Sequence, residues 1–279
     1  MTSLTEHILG VSGSVLLAVW VALLVATAVL FWRENRLPDR PGWLAARFRT
    51  GAPTSFALTA AVLTLAASAW SLASVTFSVV HHTGVARADA HVLALVTDHR
   101  AAWLTGLARV LTWLGSALVP WPAAIVAGLS LWRWRRRWLA AVLPSLALAG
   151  AWAGSLLIKA LVGRPRPPAV DRLTVVHSWS YPSEHAAQAL ATWGMIALML
   201  MAGRSARARA LLAAGAALIA FVTGLTRLYL AAHWMTDVLG GWALAGVWDC
   251  LLIICYLLVS RAAARCGRPA PAAVYREAA

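Results

Sequence analysis

Residues 178–195 read SWSYPSEHAAQALATWGM. From His185 onward the stretch is apolar and helix-forming. Ahead of it, Tyr181, Pro182, Ser183, Glu184 and His185 bring hydroxyl, carboxylate and imidazole to the threshold of that helix. Pro182 and Ser183 make a helix start, with Ser183 as the cap. The free N–H groups of such a first turn, at the positive end of the helix dipole, are an anion site. The surroundings of this helix, water or lipid, decide the fold.

Composition answers for lipid. Of 279 residues, 61% are hydrophobic and only 12% are charged. A water-soluble domain rarely carries so little charge, and several apolar runs reach about 20 residues, the length that crosses a bilayer. The expected fold is an all-α, polytopic transmembrane bundle of about seven spans, at residues 9–32, 54–80, 103–132, 138–161, 185–202, 210–228 and 238–260. The run at 9–32 is too long for a signal peptide, and no Lys or Arg precedes it, so it reads as a span. Cys250, Cys255 and Cys266 have no metal-ligand spacing and are expected to be free thiols.

The net charge of +14 sorts by side. Arginine clusters follow the first span (Arg33, Arg36, Arg40, Arg47, Arg49), the third (Arg133, Arg135, Arg136, Arg137), the fifth (Arg204, Arg207, Arg209) and the seventh (Arg261, Arg265, Arg268, Arg276). Sixteen of the 24 basic residues thus fall on one side of an alternating topology. That side is expected to be cytoplasmic, with the N-terminus outside and the C-terminus inside. The charge therefore points to a membrane surface and not to nucleic acid. The other side and its interface collect all eight histidines. Residues 81–100 are too polar to span. Val92, Leu93, Leu95 and Val96 could line the apolar side of a short interfacial helix.

Three motifs fall at that second side. In the first, Lys159 is the only lysine of the chain, and GRPRPP follows at residues 163–168. A charge in the last turn of a span is costly without a partner or a task. The prolines end the helix. The second motif is the opening stretch, where His185 is placed to give or take a proton at the anion site. The third is TRLYLAAHWMTD, residues 226–237. There His233 and Asp237 are four apart and share a helical face if the last span begins early. A carboxylate on one imidazole nitrogen fixes the tautomer and activates the other nitrogen as a nucleophile. A snorkelling lysine, a capped helix and a structural His–Asp pair account for each motif singly. They do not account for Lys159, Arg166, Ser183, His185, Arg227, His233 and Asp237 all falling at one membrane face.

The combination resembles the type 2 phosphatidic-acid phosphatase superfamily, whose members share their site with the vanadium haloperoxidases. Lys159 through Arg166-Pro167 matches that family's first motif in full. Pro182-Ser183-Glu184-His185 matches the second, except that Glu184 stands where the family has glycine. Thr226-Arg227, His233 and Asp237 match the third, with threonine in place of serine. The resemblance implies an N-terminal membrane region at 1–84, a catalytic core at 85–260 and a cytoplasmic tail at 261–279.

It also implies a chemistry: hydrolysis of a lipid phosphomonoester or diphosphate with no metal or other cofactor. His233 is the implied nucleophile, His185 the proton donor, and Asp237 the residue that holds His233. Lys159, Arg166, Arg227 and Ser183 are implied to bind the phosphoryl oxygens. Candidate substrates are polyprenyl diphosphate, which an outward site suits best, then phosphatidate and phosphatidylglycerol phosphate. A phosphotransferase with an alcohol acceptor and a non-catalytic scaffold are the alternatives. Glu184 has three open placements: into the phosphate pocket, against a polar headgroup, or away from the pocket as a favourable helix-start charge. The last is the expectation.

Overall fold

The computed structural model describes residues 52–135 and 138–265. The expected span at 9–32, the arginines at 33–49, Arg136, Arg137 and the chain beyond 265 lie outside the described residues. Within them the chain is helical and without strands.

The order is α1 (Ala52–His81), a 3-10 turn (Gly84–Ala88), α2 (Asp89–Asp98), α3 (Ala102–Leu111), a second 3-10 turn (Thr112–Gly115), α4 (Pro120–Arg135), α5 (Trp138–Val162), α6 (Glu184–Leu200), α7 (Ala206–Tyr229) and α8 (Met235–Arg265). Among the described residues, four helical segments are long and apolar enough to cross a membrane: Ala57–His81, Trp138–Val162, Ala206–Tyr229 and Met235–Ala262. A fifth crossing is made if Ala102–Gly115 and Pro120–Arg133, bent by 44°, act as one broken span.

That bend corrects the expectation of one continuous helix over 103–132. Pro120 has no N–H to donate to the preceding turn and fits the first position of a new helix, so the chain stops at Gly115 and restarts. The expected interfacial helix is α2. Val92, Leu93 and Val96 are half-buried along it, while Leu95 faces outward.

Helix α6 is the centre of the bundle, packed by α5, α7 and α8. The contacts are made largely of small residues: Ala147 and Ala151 on α5, Ala187 and Ala191 on α6, and Ala245 on α8, with Met195 and Met199 filling between them. Two apolar helices in lipid gain from close backbone approach, and alanine permits it. Helix α1 packs along α8. Its buried Ser68, Ser71, Ser74 and Ser78 recur at helical spacing on a similar principle.

This packing brings four helix ends together. Lys159 is in the last turn of α5, Glu184 and His185 in the first turn of α6, Arg227 in the last turn of α7 and Asp237 in the first turn of α8. Arg133, Arg204, Arg207, Arg209 and Arg261 lie at the opposite helix ends. Gly241 makes the close approach possible. A Cβ there would stand 2.6 Å from the Ser183 carbonyl oxygen, at the mouth of α6.

Candidate active site

His233 and Asp237 meet, but not on one helical face as expected. Helix α7 ends at Tyr229, and the chain turns through Ala231 at a φ of 47°. The Ala232 and His233 N–H groups both donate to the Arg227 carbonyl, at 3.0 and 3.3 Å. His233 therefore sits in the turn before α8, folded back over Arg227, and Asp237 reaches it from the first turn of α8.

The Asp237 carboxylate is buried and surrounded by donors. Its Oδ2 accepts from His233 Nδ1 at 3.3 Å, from the Trp234 N–H at 2.9 Å and from the Ser180 hydroxyl. Its Oδ1 accepts from Arg164 at 2.6 Å. The Asp237 carbonyl also accepts from the Ser183 N–H at 2.9 Å, which fastens the mouth of α6 to α8. With a carboxylate at Nδ1, the proton of a neutral His233 belongs on that nitrogen. Nε2 then carries the lone pair and accepts from the Arg166 guanidinium at 3.2 Å. Burial pushes the His233 imidazole down to about 3, against the upward pull of Asp237. It is neutral at physiological pH.

Arg166 contacts this nitrogen, and Arg227 and Lys159 are the other buried cations of the site. Arg166 is held by the carbonyls of Ser178, Ala232 and Trp179 at 2.6, 2.5 and 3.1 Å, and by the Ser178 hydroxyl at 3.1 Å. Arg227 is buried and donates to the Thr112 hydroxyl at 2.9 Å, while its Nε has no partner among the described residues. Lys159 is buried and donates to the Trp179 carbonyl. His185 lies within electrostatic reach of Arg227, His233, Arg166 and Lys159. Ser183 caps α6 as expected, accepting from the Ala186 N–H at 3.4 Å. All seven residues named from the motifs thus converge on one place.

Glu184 does not point away. Its carboxylate lies 3.5 Å from Lys159 Nζ, on the cation side of the site. A lysine buried at a helix end needs a counter-charge, and Glu184 supplies it. The hydroxyl of Thr226 is also turned elsewhere, donating to the Thr223 carbonyl at 2.7 Å within α7.

Several contributors escaped the sequence reading. Arg164 grips Asp237 and, at 2.6 Å, Asp89, which is buried at the start of α2. Ser180 holds Asp237, and Thr112 holds Arg227. For Asp89 the one available signal was an acid at the start of a short interfacial helix, shared with Asp98 at its end. Nothing local ties it to residues some 150 positions away.

The PAP2 superfamily pattern matches residues 138–261, a segment that contains every motif residue named above. This segment is a PAP2 superfamily domain. Phosphatidylglycerophosphatase B of Bacillus subtilis (strain 168) is 28% identical to the chain over 169 residues, 59% of this chain and 81% of that protein. The crystal structure of a transmembrane PAP2 type phosphatidylglycerolphosphate phosphatase from Bacillus subtilis superposes with a TM-score of 0.63 at 25% identity, over 68% of this chain and 94% of that one. A crystal structure of Aquifex aeolicus LpxE aligns at a TM-score of 0.47 and 25% identity, over 60% of this chain and 95% of that one. With its PAP2 domain and apolar helices, the chain is similar to membrane phosphatases of this superfamily.

Proposed function

We propose that the protein hydrolyses a lipid phosphomonoester or diphosphate at the outer face of the cell membrane, through a phosphohistidine on His233 and without a metal. The observation that carries the reading is the state of His233. Asp237 occupies Nδ1, so Nε2 has a free electron pair, and that nitrogen faces Arg166 amid Lys159, Arg227 and His185.

The substrate phosphoryl group takes the place beside Nε2, drawing Arg166, Arg227 and Lys159 to its oxygens. Nε2 attacks phosphorus. The bond to the lipid oxygen breaks and its electron pair stays on that oxygen, which takes a proton from His185; His185 carries that proton into the step once the bound phosphate dianion offsets the neighbouring cations. The ring of His233 becomes cationic, and Asp237 stabilises it. Water then gives its proton to His185 and attacks phosphorus, and the N–P electron pair returns to Nε2. Negative charge on the three equatorial oxygens grows in both steps. Cations already fixed by backbone carbonyls favour that state without reorganising. Arg166 and Arg227 can do so through paired N–H donors, which orient as well as neutralise.

The catalytic core runs from about 85 to 260, because Asp89 and Thr112 support Asp237 and Arg227 from ahead of the matched segment. The lipid tail stays beside the apolar helices while the phosphate meets the polar ends. The Bacillus relatives direct the first assay to phosphatidylglycerol phosphate, with phosphatidate and polyprenyl diphosphate beside it. Purified protein in detergent, with a chelator present, should release phosphate from at least one of the three. His233→Ala should release none. Wild-type release by that variant would refute the nucleophile, and loss of release on chelation would refute the metal-free route.

A further inference from the structure

Asp89, Arg164 and Asp237 form a line of alternating charge that ends at His233. Arg164 donates through one nitrogen to Asp89 Oδ2 and through the other to Asp237 Oδ1, each at 2.6 Å. It also donates to the Thr236 hydroxyl at 2.7 Å. Asp89 in turn accepts from the Thr236 N–H at 3.0 Å and from its hydroxyl at 2.6 Å, so it grips the first turn of α8 directly. The Trp234 ring lies 5.5 Å from the guanidinium and covers it, and the Trp234 indole is pinned to the Pro165 carbonyl at 3.0 Å. The three side chains are only 4, 11 and 0% exposed. Water does little to screen charges so enclosed.

We infer that Asp89 and Arg164 are positioning residues that set how much negative charge Asp237 presents to His233. The inference rests on the phosphohistidine reading above. Arg164 aims Oδ1 away so that Oδ2 faces Nδ1, but a lone arginine on Oδ1 would also cancel the charge that the imidazolium needs. Asp89 removes that conflict. With it, the trio carries a net charge of −1 toward His233. Without it, the net charge is zero. Asp89 lies outside the PAP2-matched segment, and Arg164 occupies one of the unspecified positions between Lys159 and Arg166 in the first motif, so neither role follows from the motifs.

The test uses charge arithmetic in the full-length protein, with steady-state kinetics on a lipid phosphate. Asp89→Asn keeps an acceptor for Thr236 but brings the net charge to zero. It should lower kcat by about 10- to 100-fold, by analogy with the range felt when the groups behind a metal-ligating imidazole are changed. KM should stay within about threefold, since Lys159, Arg166 and Arg227 are untouched. The double variant Asp89→Asn with Arg164→Gln restores −1 and should recover at least several-fold of the lost kcat. A merely structural clamp predicts the reverse, with the double variant slower than the single. That outcome, or a wild-type kcat for Asp89→Asn, overturns the inference. If Asp89→Asn does not fold, Arg164→Lys carries the test, because it keeps the charge but loses the two-pronged grip. It should lower kcat about tenfold at unchanged KM, and a wild-type kcat overturns the inference. His233→Ala runs in parallel. Activity there sinks the phosphohistidine reading, whereas a silent His233→Ala beside a fully active Asp89→Asn sinks only this inference.

Discussion

Glu184 and His233 show how a single side chain acquires its behaviour from what faces it. On the proposed function, Glu184 shares Lys159 with the incoming phosphate, and the carboxylate yields that cation on binding. The pair is partly exposed, at 26% on the Glu184 side, and worth about 0.5–1 kcal/mol. Glu184→Gln should therefore lower KM for a lipid phosphate by roughly two- to fivefold. An unchanged or raised KM would mean that the carboxylate contributes to binding. His233 makes a pH prediction. Its folded value of about 3 lies below the ordinary histidine value of 6.5. The unfolded chain thus binds a proton that the folded one refuses between those pH values. Stability is full above about 6.5 and falls as pH drops toward 3. The melting temperature in detergent should fall less over pH 6.5 to 4 for His233→Gln than for wild type. Equal slopes would contradict the neutral, buried imidazole.

Elements matter here through their ends. Helices α5, α6, α7 and α8 each contribute one or two residues at a terminus, and the site exists only while those termini stay in register. Gly241 is a tight joint between α6 and α8. A methyl group there would meet the Ser183 carbonyl oxygen at 2.6 Å and the Ala187 nitrogen at 3.2 Å, both backbone atoms of the α6 start. Gly241→Ala should cost about 1–3 kcal/mol and lower activity along with the melting temperature. A variant as stable and as active as wild type would show that α6 does not bear on α8 at this point. The break between α3 and α4 has a local use as well. A Cβ on Gly115 would lie 2.5 Å from the His185 carbonyl oxygen, and Thr112 in the same turn holds Arg227. A straight helix over 103–132 would not put both contacts on the site.

For the whole molecule, the charge pattern predicts orientation. Arg133, Arg204, Arg207, Arg209 and Arg261 lie at the helix ends away from the site, and the positive-inside rule assigns that end to the cytoplasm. Single cysteines placed at His177 and at Arg204, both exposed, test it once Cys250, Cys255 and Cys266 have been replaced. An impermeant thiol reagent on intact cells should label position 177 and spare position 204. The opposite pattern would invert the protein and move the site to the cytoplasmic face.

The sequence alone determined the all-helical class and most of the described helices, and it named seven residues that the fold brings together. Hydropathy over some 20 residues is a local property, helix caps are local, and motif spacing keeps Lys159, Arg166, Ser183, His185, Arg227, His233 and Asp237 identifiable wherever the chain folds. Tertiary structure decided what those residues face. Lys159 meets Glu184 across 25 positions, Arg164 meets Asp237 across 73, and Asp89 meets Thr236 across 147. No local pattern reports such pairings. Buried charges in a low-dielectric interior must find partners, and which partner lies in reach depends on how four helix ends pack.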